Sequence, residues 1–391
     1  VKIFLWLIFT SWVMVTAGDG KKLVFEEELR IGPEGDAHHN VWKGSWVSLA
    51  IRGDGHMFVV ETGKNRIVHF NPKGDLVEEV DGFIEGQGRF KNLRSLSFLN
   101  DGRAIAYENH GGKDVETWFD AQFKIQERLT LKKMNPAIQS VEYAPDGNTI
   151  ATYYYMPEKP GRSNVYNAVL GADRSLVKVV AGFHAPPFID GKAKEADYWA
   201  EFLVPFLTYI KDGQGLIRYG ADGSTYMAQS HSYQITCMRP GAMVPQMIEG
   251  ISTGQKASEA QMKAMASRFR QDIISSFPEP FHKSITEDAV WRALKTSGLD
   301  QAPIAIYGMV PLEDGRLLVV NQHDWAGNTS ADLFDITGQR VGSAQMPPVQ
   351  VNGFAALFSC GVRMCFKNGK AYGLENQDGD LYLVRYNYQL K

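Results

Sequence analysis

At 391 residues, with 44% hydrophobic and 22% charged side chains, the chain can bury a large core and shows no disordered tract. Its net charge of −3, with both signs interspersed, gives no reason to expect a nucleic-acid or anionic-membrane partner. Three cysteines in such a length argue against a disulfide framework and against a thiolate metal site.

The first predicted element is an address. Lys2 precedes an apolar stretch over 3–15, and Val15-Thr16-Ala17 sets small residues at the −3 and −1 positions. That pattern predicts a secretory signal peptide over 1–17, cleaved before Gly18, and a secreted or periplasmic mature chain. The stretch is too short to cross a bilayer comfortably, so no membrane span is expected in the mature chain; an uncleaved anchor is the alternative.

Residues 22–31 (KLVFEEELRI) read as a lone strand. After it, Asp54-Gly55, Asp101-Gly102, Asp146-Gly147, Asp222-Gly223, Asp314-Gly315 and Asn368-Gly369 each sit between two short apolar runs. Asp-Gly and Asn-Gly supply the positive φ of a two-residue hairpin turn, so each pair predicts a tight turn between strands. The first unit is the clearest, with strands over 45–51, 56–61 and 66–70 before Pro72-Lys73-Gly74 turns the chain into 75–80. Four antiparallel strands are the content of one propeller blade. The units at Asp222 and Asp314 repeat the plan, and the unit at Asn368 ends without room for a fourth strand. The expected fold is all-β: a six-bladed β-propeller over 18–391 whose N-terminal strand pairs with the last blade and closes the ring.

The turns lie 47, 45, 76, 92 and 54 residues apart, so the two long intervals carry insertions, about 182–209 and about 254–300. The first is rich in aromatic residues and proline. The second, between blades four and five, is predicted helical. Ser258 with Gln261 resembles a capping box, and Met262, Met265, Ala266, Phe269 and Ile273 follow helical spacing. Pro278 and Pro280 end that helix, and 286–295 predict a second. Neither insertion reads as an independent domain. Cys237 is expected to pack as a small hydrophobe, and Cys360 and Cys365 are more than ~15 Å apart if both lie on one extended strand.

The run over 58–70 (FVVETGKNRIVHF) is similar to an NHL repeat, whose strands bracket a D-x-G-N-x-R-I signature; Glu61 stands where the repeat has Asp. The run over 85–92 (EGQGRFKN) resembles the Gly-rich linker before a blade in exported bacterial six-bladed propellers. Only the first blade follows the NHL pattern residue by residue, and the other blades lack its Asn-x-Arg element. The resemblance implies a propeller fold and an exported location, in a group where most proteins have no assigned activity.

Strands alternate direction, so the start of each first strand and the link from second to third strand fall on one face, at the mouth of the channel. There the sequence places His38, His39, Glu61, Asn109, His110, His231, His323, Asp324, Trp325, Glu375 and Asn376. Carboxylates suit Ca²⁺ and imidazoles suit Zn²⁺, so such a ring could hold either ion. His38 and His39 are adjacent and point apart on an extended loop. Trp325 could stack on a sugar or peptide ring or simply cover an insertion, and Tyr153, Tyr154 and Tyr155 line the mouth or serve as ordinary strand residues. Resemblance to NHL-type lyases, which use a zinc-bound His cluster, requires that His110, His231 and His323 converge. The gluconolactonase and paraoxonase group carries an Asn-Gly step before a blade turn; 96–100 and 141–145 lack it, and Asn352-Gly353-Phe354 is the nearest approach. No G-x-S-x-G elbow, H-E-x-x-H helix, Walker loop or dinucleotide fingerprint appears. The expectation is an exported binding propeller that recognises a peptide, glycan or protein partner at the loop-rich mouth, with no cofactor. The alternative is a metal-dependent hydrolase or lyase with Ca²⁺ or Zn²⁺ in the channel. Geometry separates them, because an enzyme of that kind needs three ligands within bonding distance of one ion.

Overall fold

The computed structural model describes residues 21–32, 42–43, 47–81, 90–109, 114–130, 140–155, 164–186, 189–250, 258–277, 279–299, 304–323, 329–349, 362–377 and 380–391. The predicted signal segment lies outside these residues. Among the described residues, no helix is long and apolar enough to cross a membrane.

Strands β1 (Lys21–Ile31) and β2 (Trp42–Lys43) precede a series of antiparallel meanders. The first is β3 (Val47–Ile51), β4 (Met57–Glu61), β5 (Arg66–Phe70) and β6 (Leu76–Asp81); the second is β7 (Leu93–Phe98), β8 (Ala104–Asn109), β9 (Asp114–Phe119) and β10 (Ile125–Thr130). The third holds β11 (Ser140–Tyr143), β12 (Thr149–Tyr155), β13 (Asn164–Gly171) and β14 (Leu176–His184). The fourth holds β15 (Gly215–Tyr219), β16 (Thr225–Gln229), β17 (Gln234–Met238) and β18 (Gln246–Glu249). The remaining strands are β19 (Gly308–Pro311), β20 (Leu317–His323), β21 (Thr329–Phe334), β22 (Arg340–Gln345), β23 (Met364–Lys367), β24 (Lys370–Gln377) and β25 (Asp380–Leu390).

These last strands join β1 and β2 in one nine-stranded sheet, where the sequence predicts separate blades. The cause is the length of β1. Its residues from Leu23 to Ile31 pair antiparallel with β25, from Leu390 back to Leu383. Its first three residues also run parallel to the edge of β22, Lys21 opposite Gly342 and Leu23 opposite Ala344. A Cβ on Gly342 would stand 2.2 Å from the Lys21 carbonyl oxygen, so this close approach requires glycine.

Neighbouring sheets share their apolar faces. Val59 and Phe70 pack with Leu374 and Leu383, joining the first sheet to the last; Phe58 and Val60 pack with Leu96 and Phe119 of the second. Tyr107 packs with Val141 and Leu170, Val169 with Ile217 and Met227, and Ile235 with Val319 and Phe334. Each sheet thus buries both faces against its neighbours and the last returns to the first, which is a propeller-like arrangement.

The turns depart from the two-residue form. Only Asn368-Gly369 has positive φ at both positions, 53° and 67°. At Asp54, Asp101, Asp222 and Asp314 the loop has three residues: the Gly amide donates three residues back, as Gly55 N to Arg52 O at 2.9 Å, and Arg52 N donates to His56 O. Asp146-Gly147 sits in a four-residue loop. In each of these five only the glycine has positive φ. The aspartate accepts the amide two residues on, as Asp101 Oδ1 does from Arg103 N at 3.0 Å, which holds a type I turn closed by a left-handed glycine.

Both insertions are helical. α1 (Ala196–Phe202) and α2 (Val204–Gly213) follow β14, which itself runs on to His184; α3 (Glu259–Ser276) and α4 (Glu287–Ser297) follow β18. Thr286 Oγ1 caps α4 by accepting from Ala289 N at 3.1 Å, and Gly298 ends it at φ 69°. The helices share one core, in which Trp199, Leu203 and Leu207 meet Met262, Phe269, Ile273, Val290 and Leu294. Trp199 Nε1 donates to Ala193 O at 2.8 Å and to Ser284 Oγ at 3.0 Å, tying one insertion to the other. The sequence reads them as two excursions; each has a single apolar face, and two such faces close one core.

Candidate binding channel

The first strands of the meanders, β3, β7, β11, β15, β19 and β23, line a single cavity of about 270 Å³. The lining runs to their C-terminal ends and into the turns beyond: Ser48 to Ile51, Ser95 to Phe98, Val141 to Tyr143, Arg218 and Tyr219, Val310 and Pro311, and the whole of β23, with Pro145, Leu312 and Glu313 of the turns. The cavity therefore occupies the half of the channel next to the Asp-Gly turns. The links between second and third strands, and both helical insertions, attach at the opposite end.

Two charged side chains stand at its inner end. Arg218 reaches out of β15 and ties three neighbours together: Nε donates to Met309 O at 3.2 Å, Nη2 to Val362 O at 2.7 Å, and Nη1 to Glu142 Oε2 at 3.3 Å. Glu142 keeps 29% of its side-chain surface open, yet protein surrounds it on every side of the channel. Burial accordingly pushes its carboxyl above the usual carboxylate range, outweighing the pull of Arg218. Ser48, Ser95 and Ser97 add hydroxyls to the wall, and Leu49, Leu96, Phe98 and Phe366 make much of the rest apolar.

The residues expected at the other mouth have varied surroundings. Glu61, at the end of β4, is buried and holds Arg66 and Lys64, the latter at 3.1 Å; Arg66 also reaches Glu79 at 2.9 Å. Glu375 in β24 is buried between Arg30, at 2.7 Å, and the Tyr386 hydroxyl, with burial raising its carboxyl. Asn109 ends β8, and its Nδ2 donates to Asp114 Oδ1 at 3.3 Å. His231 is exposed in the link after β16, its ring lying over Gly213. His323 closes β20. His38, His39, His110, Asp324 and Trp325 lie outside the described residues. Among the described residues no three His, Cys, Asp or Glu groups come together in a way that could hold a metal ion. Cys237 is buried and Cys365 half-buried, both as thiols.

A buried carboxylate held by an arginine recurs around the ring. Arg128 holds Glu108 through both oxygens, at 2.8 and 2.9 Å, and Arg340 holds Asp332 at 2.6 Å, where Tyr233 of the preceding sheet also donates at 2.6 Å. Glu61 and Glu375 belong to this series of internal ties.

Glu142 and Arg218 are not among the residues that the repeat pattern singles out. Their signal is a single charge inside an otherwise apolar first strand, VEY in β11 and LIRY in β15.

No protein-family model matches the chain, and no curated protein matches it. Among solved structures, it is similar to a protein of Bacteroides fragilis assigned as exported: 11% identity, 94% of this chain, 95% of that one, TM-score 0.49. A virginiamycin B lyase of Staphylococcus aureus gives 12% identity over 93% of this chain and 99% of that one, TM-score 0.43. A gluconolactonase of Xanthomonas campestris gives 11% over 93% and 99%, TM-score 0.42. Scores at this level carry no inference about chemistry.

Proposed function

We propose that the chain is an exported six-bladed propeller of the NHL-like type, acting as a binding module for a peptide, glycan or protein at the mouth where its helices and strand-two-to-three links gather. The six first strands around one cavity support the blade count. The observation that carries the binding reading is the fused helical core. Two separate insertions build one lobe at one end of the channel, and a lobe of that kind enlarges a recognition surface that the ring alone would not offer.

The test is a screen of immobilised glycans and peptides with the purified chain, run beside elemental analysis of the same preparation after dialysis without chelator. Saturable binding that is lost when residues 258–299 are replaced by a short linker, in a protein with no retained metal, supports the module. A near-stoichiometric divalent ion would instead favour a metal-dependent hydrolase or lyase, and would direct mutations to His110, His231 and His323.

A further inference from the structure

The turn-side half of the channel lies at the other end from the proposed mouth, and its chemistry stands apart from it. Glu142 Oε2 receives one contact, from Arg218 at 3.3 Å, and Oε1 accepts no hydrogen bond from any described residue. Arg218 cannot close on both oxygens, because its Nε and Nη2 are tied to Met309 O and Val362 O. Its charge is thus shared among several acceptors, these three included, while the carboxylate keeps an open oxygen and part of its surface toward the cavity. A volume of about 270 Å³ suits a compact ligand, and Phe98, Tyr219 and Phe366 supply aromatic walls.

We propose that this half-channel binds a small molecule bearing an ammonium group on an aromatic or short apolar body, with Glu142 as its counter-ion. An ammonium donor at Oε1 completes the hydrogen bonding of a carboxylate removed from bulk water. The apolar body fills the space between Leu96, Phe98 and Phe366. The charge of such a cation also offsets the effect of burial on Glu142 and favours its ionised form. An anion at Arg218 would have to compete with two carbonyls and a carboxylate already there, and the two further charges of the lining, Lys367 and Glu313, are of opposite sign.

Cys365 lines the same cavity and reports on it. Cleavage after Arg363 and Lys367 isolates it in peptide 364–367, apart from Cys360. The purified full chain is alkylated with iodoacetamide in the presence of benzylamine, benzyl alcohol or benzoate, which share a ring and differ in charge. Benzylamine, protonated at neutral pH, is expected to slow Cys365 alkylation by about fivefold at about four times its Kd. Benzyl alcohol and benzoate should leave the rate near that of the protein alone, and Glu142→Gln should abolish the protection. Equal protection by all three compounds would show an apolar pocket without charge recognition and overturn the proposal. So would stronger protection by benzoate, protection by none, or protection that survives Glu142→Gln. If that variant does not fold, the three-compound comparison on the unaltered chain decides alone.

Discussion

Arg174 offers the sharpest test of how the second and third sheets are held together. It sits in the β13–β14 turn at φ 68°, and its guanidinium pairs with Glu116 of β9 and donates to the Tyr143 hydroxyl at 3.2 Å. Only 12% of the Arg174 side chain and 6% of the Glu116 side chain are open to solvent. Arg174→Ala leaves the Glu116 carboxylate buried, with Tyr143 and Trp118 as its remaining donors. Breaking a buried pair by removing one partner costs about 3–5 kcal/mol, and the surviving donors put the expectation near 3. At a slope of about 3 kcal/mol per molar urea, that lowers the midpoint by about 1 M. Arg174→Gly removes the same charge but suits the left-handed backbone, so it should be milder than Arg174→Ala by up to about 1 kcal/mol. Adding Glu116→Gln to Arg174→Ala should recover part of the loss, because no uncompensated charge is then buried. Urea unfolding followed by tryptophan fluorescence gives all four midpoints, Trp118 being a local reporter. A midpoint shift below about 0.3 M for Arg174→Ala, or no recovery in the double variant, would refute the buried-charge argument.

Three further outcomes follow from the same structure. His56 Nδ1 lies 2.7 Å from His69 Nε2, His69 stacks on Phe58 with centroids 4.1 Å apart, and burial lowers both imidazole pKa values. The unfolded chain then takes up protons more readily, so stability should fall as pH drops below about 6.5 toward the folded values. Scanning calorimetry should show that fall, and His69→Gln should flatten it. Gly342→Ala, with its Cβ 2.2 Å from Lys21 O, should detach the first residues of β1 from β22 while β1 stays on β25. Hydrogen exchange should then speed up at Lys21 and Leu23, while Lys22, whose amide donates to Lys391 O at 2.8 Å, and residues 29–31 stay protected. Thr286→Ala removes the cap of α4 and should cost about 1 kcal/mol, read as a lower thermal midpoint, with Thr286→Ser close to the unaltered chain.

Much of the ring was legible because its determinants are local. An Asp-Gly pair between two apolar runs marks a strand connection wherever it occurs, and β3 to β6 lie where the first repeat puts them. The loops are longer than the two-residue form for an equally local reason: the aspartate accepts from the amide two residues on, which holds a type I turn that the left-handed glycine then closes. The helices of the first insertion carry a local signal too, since Trp199, Leu203, Phe206, Leu207 and Ile210 follow helical spacing within a segment otherwise marked by aromatic residues and proline.

The candidate cavity was not legible. Glu142 and Arg218 are 76 residues apart, and Val362 is a further 144 along, so no spacing rule connects them. Glu61 and Glu375 stood out as polar residues at strand ends, yet nothing local reveals that Arg66 and Arg30 already hold them; Arg30 is 345 residues from Glu375.

The sequence by itself determined the repeat, the strands and the helix starts, because turn chemistry and apolar period act within a few residues. The tertiary structure alone decided which faces meet, that two insertions make one core, that β1 joins two strand groups into one sheet, and which charges face the channel. Those outcomes depend on what stands opposite each side chain after closure, and closure brings together residues hundreds apart along the chain.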